Sequence, residues 1–201
     1  MLYLPFSSQI QSAALKLIPP EKQDGFRGEI GNVLNEKLDP EDLENNLFEV
    51  VNLRNHAVAT ISSEEERKEL ATMNLRAGVK ASENAAFHAA AVYFKAAREL
   101  MGADGWANDH GMMIKLCSEG ANACFICNDV ETMHKFIDEV ISKDISVDEK
   151  FRAFEVKSLA AQGEGKFEES LCKYGFGVAE AFLSLCQILI LNWHFTYYNT
   201  G

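Results

Sequence analysis

Cys124 and Cys127 form the pattern Cys-x-x-Cys, which in other proteins holds zinc or a redox-active disulfide. A zinc site needs a second such pair or closely spaced histidines, and a redox pair lies at the start of a helix that follows a strand. His134 lies seven residues beyond Cys127 and could complete a partial site. The pair instead falls near the predicted end of a helix, so the sequence favours packed thiols over a metal or redox centre.

The histidines offer a second kind of chemistry, as bases beside a nucleophile. None of them stands in a known nucleophile pattern with a Ser or Cys and a carboxylate. His88 belongs to an alanine-rich segment, which predicts a position inside the fold or in a groove. We predict no catalytic, cofactor-binding or metal-binding residue, no cofactor, and no enzymatic activity of the chain's own. The five histidines of the sequence are His56, His88, His110, His134 and His194.

Glu64, Glu65 and Glu66 form an acidic run. Paired carboxylates can act as acid and base when a cleft shifts their pKa values. At the start of a helix they have a simpler role, because negative charge there stabilises the helix dipole by about 0.3–1 kcal/mol per group. The run follows Ser62 and Ser63, so the sequence favours the second interpretation.

Composition narrows the class of protein. The chain has 201 residues and a formal net charge of −11, which argues against binding to a nucleic acid backbone. Five cysteines, an odd number, indicate reduced thiols in an intracellular protein. The first ten residues lack the basic start and cleavage site of a signal peptide. We therefore predict a cytoplasmic protein.

The elements that must position these residues are all predicted to be helices. Apolar residues recur at three-to-four spacing, and no stretch alternates with period two. Helix starts are predicted at Asp39, at Ser62 or Ser63, at Ser82, at Asn128–Glu131 and at Ser146–Glu149, from capping residues and acidic first turns. The predicted helices cover approximately 8–18, 26–38, 43–58, 64–79, 83–101, 107–127, 130–141 and 148–163, followed by a last one from Lys166.

Helix pairs beginning near residues 64, 107 and 148 repeat with a period of about forty. Short turns and alanines beside large aromatic residues are typical of stacked helical hairpins. The sequence predicts an all-α fold, a right-handed α-solenoid of tetratricopeptide-like hairpins with about eight or nine helices. A plain helical bundle is the alternative. The alanine-rich helix 83–101 favours the solenoid, because its composition predicts burial on more than one face.

Residues 181–198 contain no Asp, Glu, Lys or Arg. Eighteen helical residues nearly cross a hydrocarbon core of about 30 Å. Polar residues interrupt the segment, so a buried terminal helix or a patch awaiting a partner is favoured over membrane insertion.

Several segments in order resemble one family. They are QIQSAALKLIP at 9–19, LFEVVN at 47–52, ERKELA at 66–71, NLRAGVKA at 74–81, AAF at 85–87, Tyr93, Trp106 and FEVKSLAAQG at 154–163. Together they resemble the tetratricopeptide-like region that follows the AAA-type ATPase domain in large signalling proteins. In that family a protein-kinase-like region precedes the ATPase, and a histidine kinase or cyclase often follows the helical region.

The resemblance implies a domain plan and a function. Residues 1–61 would correspond to the end of the ATPase module, 62–174 to helical repeats, and 175–201 to a divergent hydrophobic C-terminal helix. The expected function is a non-catalytic module that binds protein segments, with no nucleic acid or metal partner. A membrane-tethered adaptor and a small ligand-binding or enzymatic bundle are the alternatives.

The chain departs from the family in lacking a phosphate-binding loop. The pattern G-x-x-x-x-G-K-[ST] does not occur, and Gly163–Lys166 has neither its spacing nor its hydroxyl. We therefore expect that this chain does not bind or hydrolyse ATP by itself.

Overall fold

The structure is a computed structural model that describes residues 17–163. Within these residues 82% of the chain is helical and no strand occurs. The all-α prediction is thereby confirmed for this part of the chain. The predicted helix at 8–18, the helix from Lys166 and the segment 181–198 lie outside the described residues, except for 17 and 18.

The chain divides into two compact units, Met1–Ala77 and Gly78–Gly201. The division falls inside one helix, between Ala77 and Gly78. The predicted domain boundaries, after residues 61 and 174, stay predictions.

The first unit contains three helices and most of a fourth. They are α1 (Pro20–Lys37), α2 (Pro40–Asn45), α3 (Leu47–Asn55), a 3-10 turn (Val58–Thr60) and α4 (Glu64–Glu83), which spans the division. The single helix predicted for 43–58 is wrong, because Asn46 ends α2 with a non-helical backbone and the chain restarts at Leu47.

The described part of the second unit, up to residue 163, contains five further helices. They are α5 (Phe87–Met101), α6 (Gly105–Asn108), α7 (His110–Ile126), α8 (Val130–Ile141) and α9 (Val147–Gly163). The helix predicted for 107–127 is interrupted at Asp109, whose φ of −156° and ψ of 79° break the turn. The Asp109 carboxylate then accepts a hydrogen bond from the backbone N–H of Met112, 3.1 Å away, and starts α7.

Glycines in α1 bring it close to α3. A Cβ atom on Gly31 would lie 2.9 Å from the backbone nitrogen of Arg54, and one on Gly28 would lie 2.1 Å from Cβ of Ala57. The sequence alone indicates only that these glycines weaken the helix. In the structure they let two helix backbones approach, so the weakness of α1 is offset by packing.

Most of the predicted helix starts are confirmed by their hydrogen bonds. Asp39 accepts from the backbone of Asp42 at 2.8 Å, and Ser63 accepts from that of Glu66 at 3.3 Å. Ser146 and Glu149 form a complete capping box, with backbone-to-side-chain distances of 2.9 and 3.3 Å.

One predicted start is wrong, and one is capped by a different residue than predicted. Ser82 does not begin a helix, because α4 continues to Glu83 and α5 begins at Phe87. At the start of α8 the cap is Asp129, which accepts from the backbone of Thr132 at 3.2 Å. The capping box predicted there does not form, because Asn128 belongs to the turn that ends α7.

The ends of α4 and α7 have the same turn. Ala85 and Asn128 both have a left-handed backbone, with φ of 56° and 61°. The N–H that follows each of them bonds back five residues, Ala86 to Ala81 O and Asp129 to Cys124 O, both at 2.8 Å. This is the Schellman arrangement, in which glycine is the residue usually found at the left-handed position.

The core of the second unit lies around α7, which packs against α5, α8 and α9. Glycine again permits the close contacts, but here aromatic rings fill the space. A Cβ atom on Gly120 would lie 2.7 Å from the ring of Phe136, and one on Gly78 would lie 2.6 Å from the ring of Phe94. The two rings are almost fully buried.

Buried positions in α4–α5 recur in α7–α8 at a constant offset of 43 residues, as from Leu70 to Met113. Eleven pairs are buried on both sides: Leu70/Met113, Met73/Leu116, Asn74/Cys117, Leu75/Ser118, Ala77/Gly120, Gly78/Ala121, Ala81/Cys124, Ala90/Met133, Tyr93/Phe136, Phe94/Ile137 and Ala97/Val140. The left-handed residues Ala85 and Asn128 have the same offset. The predicted period of about forty and the right-handed solenoid both stay predictions.

The alanine-rich helix α5 is buried on one side only. Ala90, Phe94 and Ala97 are inaccessible to solvent, whereas Val92 is 61% exposed. The prediction that this helix is buried on more than one face is therefore wrong. Small residues at the turn before α5 and on its exposed side raised the apolar content of the predicted helix 83–101, although they are not part of the core.

Candidate functional site

A groove of about 420 Å³ lies between α5 and α8. Both helices pack on α7, and ion pairs bridge the space between them. We call it the α5–α8 groove. Its walls are mainly charged, and its lining residues are Lys95, Arg98, Glu99, Thr132, Lys135, Phe136 and Glu139.

Two lysines of the groove are held by carboxylates. Lys95 Nζ lies 2.6 Å from Oδ2 of Asp129, and Lys135 Nζ lies 2.7 Å from Oε1 of Glu131. Hydrogen bonds from Lys95 and from the side chain and backbone of Thr132 lower the pKa of Asp129. Asp129 therefore has two roles, capping α8 and tying its start to α5.

Arg98 and Glu139 form the strongest polar contact of the groove. Arg98 Nε lies 2.9 Å from both carboxylate oxygens, and Nη2 lies 2.7 Å from Oε1. The indole nitrogen of Trp106 donates a third hydrogen bond to Glu139, at 2.7 Å. Burial opposes ionisation of Glu139, but the hydrogen bonds from Arg98 and Trp106 outweigh it and lower the pKa. Glu139 is thus a fixed anion rather than a proton donor.

Trp106 extends this network toward α9. Its ring meets the His110 ring edge-on, with centroids 5.8 Å apart, and Lys143 Nζ lies 5.2 Å from its centroid. His110 Nε2 lies 3.1 Å from the carboxylate of Glu149, the residue that caps α9. His110 therefore links the start of α7 to the start of α9.

The cysteine pair is placed for packing. Cys124 is fully buried, and burial raises the pKa of its thiol to about 12. Cys127 is half-buried, with Sγ 3.6 Å from the carbonyl oxygen of Cys124. Zinc binding and disulfide exchange both use the thiolate, which burial disfavours here. This geometry supports the interpretation as packed thiols.

The other predicted candidates are scattered. His56 lies 3.1 Å from Asp24 near α1 and is half exposed. His88 is exposed, so its predicted position inside the fold or in the groove is wrong. His134 is half-buried on α8, and His194 lies outside the described residues. Within residues 17–163, no group of three or more His, Cys, Asp or Glu side chains could hold a metal ion.

The acidic run lies at the first turn of α4, as the dipole interpretation requires. A hydrogen bond from Ser63 lowers the pKa of the exposed Glu65. Gly163, the described part of the lysine-containing loop, is the last residue of α9.

Sequence reasoning missed the buried arginine of the first unit. Arg54 is only 3% exposed, and its Nη2 lies 3.0 Å from Glu69 and 3.9 Å from Glu66. Its Nη1 lies 3.2 Å from the sulfur of Met73, and its Nε has no hydrogen-bond partner among residues 17–163. An arginine in the last turn of a helix with several apolar residues, followed by two glutamates later in the chain, was the available signal.

No membrane-spanning candidate occurs among the helices of residues 17–163, since none has the necessary length and apolarity. No protein-family model, no curated protein and no solved structure matches the chain. The function is therefore argued from the site itself.

Proposed function

We propose that this chain is a non-catalytic helical-repeat module that binds a segment of another protein in the α5–α8 groove. The observation that carries the proposal is the 43-residue correspondence of buried positions. Under it, α5 and α8 are the second helices of two like hairpins. Successive hairpins in a repeat protein leave extended surfaces between them, and such surfaces commonly bind peptides.

The chemistry of the groove supports binding rather than catalysis. Its three cations are all in ion pairs, and its most buried carboxylate, Glu139, is fixed by Arg98 and Trp106. None of the described residues that line it is Ser, Cys or His. A nucleophile with an adjacent base is the usual requirement for covalent catalysis.

The resemblance to signalling ATPases gives the proposal a context. We infer a cytoplasmic partner within or beside such an ATPase, contacted through helices rather than through nucleotide. The sequence 74–81, which is part of that resemblance, spans the end of α4 that receives the Phe94 ring.

Selection of a displayed library of random 12-residue peptides on the immobilised full chain tests the proposal. Thr132→Trp places a large ring in the groove from α8, and Ala96→Trp places one on α5, next in sequence to the lining residue Lys95. We expect selected peptides to lose at least tenfold in affinity on both variants. Circular dichroism and the melting temperature show that the variants remain folded, and a variant that unfolds is replaced by the other. Peptides that bind both variants as well as the wild type, or a selection that yields no binder, would overturn the proposal.

A further inference from the structure

We propose that the segment bound in the α5–α8 groove is basic, with an apolar residue and a Lys or Arg about 10 Å apart. This inference rests on the proposed function and adds the chemistry of the partner.

The cations of the groove are already neutralised. Lys95 lies 2.6 Å from Asp129, Lys135 lies 2.7 Å from Glu131, and Arg98 is bound through two nitrogens by Glu139. An acidic ligand would have to displace these carboxylates, and the Arg98 pair also holds Trp106. The groove is therefore a poor receptor for negative charge, although three cations line it.

Glu99 is the lining carboxylate that remains. It is exposed, and its side chain makes no ion pair or hydrogen bond with any residue in the described part of the chain. The charged lining residues and their ion-pair partners have four carboxylates and three cations. The carboxylates are those of Glu99, Asp129, Glu131 and Glu139, and the cations are Lys95, Arg98 and Lys135. The formal charge of −11 on the whole chain adds a long-range attraction for a basic partner.

An apolar contact is available at the other end of the same helical stripe. Val92, Lys95, Ala96 and Glu99 follow the three-to-four spacing that places residues on one side of a helix. Val92 is 61% exposed, and Val130, next to Asp129 across the Lys95 ion pair, is 43% exposed. Each valine is an exposed apolar side chain at one end of the groove helices, which a partner's side chain would cover.

The distance between Val92 and the Glu99 carboxylate sets the spacing expected in the ligand. Val92 and Glu99 are seven residues apart on α5, which corresponds to about 10 Å along the helix. A partner bound in helical form would match this distance with an apolar residue and a Lys or Arg seven positions apart. An extended partner would match it with about three positions.

The peptides recovered from the 12-residue library, tested by fluorescence polarisation against the full chain, distinguish the outcomes. We expect enrichment of Lys and Arg over the unselected library, and at least tenfold weaker binding to Glu99→Lys. Glu119→Lys is the matched control, because Glu119 lies on α7, outside the groove lining, and changes the net charge equally. We expect it to weaken binding less than twofold.

Two results would overturn the inference while leaving the proposed function intact. One is a set of acidic or uncharged peptides that Thr132→Trp and Ala96→Trp still block. The other is an equal effect of Glu99→Lys and Glu119→Lys, which would reduce the charge dependence to a general attraction. If neither Thr132→Trp nor Ala96→Trp weakened peptide binding, the proposed function itself would be overturned.

Discussion

Helical glycines contact different kinds of neighbour in the two units. In the first unit, Gly31 of α1 faces the backbone nitrogen of Arg54. In the second, Gly120 of α7 faces the ring of Phe136. A backbone cannot be moved without moving its helix, whereas a ring can be shortened by substitution. The same residue type therefore marks a rigid contact in one unit and an adjustable contact in the other.

The largest expected effect is at the backbone contact. Gly31→Ala places Cβ 2.9 Å from the nitrogen of Arg54 and 2.8 Å from its Cγ, so α1 and α3 must separate. We expect a loss of about 3 kcal/mol in the free energy of unfolding, measured by urea denaturation. Gly25→Ala in the same helix is the control, because nothing lies within 4 Å of its Cβ. That change should stabilise by about 1 kcal/mol, and equal losses in the two variants would contradict the comparison.

A smaller and reversible effect is expected at the ring contact. Gly120→Ala should cost about 1–2 kcal/mol, because its Cβ overlaps the Phe136 ring. Adding Phe136→Leu removes the overlap. The double variant should therefore lose less free energy of unfolding than the two single variants together, with a coupling energy of about 1 kcal/mol. Gly111→Ala, in open space on α7, should cost nothing. Strictly additive losses would show that the ring does not set the cost.

The two Schellman turns predict opposite responses to substitution. Ala85 holds a left-handed backbone without the tolerance of glycine or asparagine, and Asn128 holds the same backbone with it. Ala85→Gly should raise the free energy of unfolding by about 1 kcal/mol, and Asn128→Ala should lower it by somewhat less than 1 kcal/mol. Thermal unfolding checks both. A destabilised Ala85→Gly variant would show that this turn is not left-handed in solution.

The smallest effect concerns acid stability. The pKa values of Glu69 and Glu139 are both lowered from the ordinary value of 4.5, by hydrogen bonds that outweigh burial. A group with a lowered pKa in the folded state contributes stability above its ordinary pKa, and that contribution is lost as the pH falls through the folded value. The melting temperature should therefore fall below about pH 4.5. Glu139→Gln should reduce the slope of this fall, and an unchanged slope would exclude Glu139 as a source.

The sequence predicts the helices well, because amphipathic spacing and capping residues are local signals. Asp39, Ser63 and Ser146 start helices as expected, since their side chains bond only to the backbone that follows. The end of α4 was missed because Ala85 adopts a left-handed backbone that alanine rarely takes. Composition alone could not show this, and Ser82 offered a plausible but incorrect cap.

The candidate site depends on long-range contacts and was not predicted. Arg98 and Glu139 are 41 residues apart in the sequence, and Trp106 joins them from a short helix. No motif connects residues at such separations without knowledge of the fold. The predicted placements of Cys124 inside the fold and of the acidic run at a helix start are seen in the structure, because burial and helix position can be inferred from neighbouring residues.

The glycine and the aromatic ring that it contacts occupy different positions in the two hairpins. This difference limits the ways in which the two hairpins can have diverged. Gly78 and Phe94 in the first correspond to Ala121 and Ile137 in the second, while Gly120 and Phe136 correspond to Ala77 and Tyr93. If the hairpins arose by duplication, the order of the substitutions matters. When glycine is replaced by a larger residue before the facing aromatic residue is replaced by a smaller one, the intermediate is overpacked. The opposite order passes through a cavity, which costs about 3–5 kcal/mol when a phenylalanine is replaced by alanine. Divergence by way of a medium-sized residue, such as the isoleucine now at 137, avoids both the overpacked intermediate and the cavity.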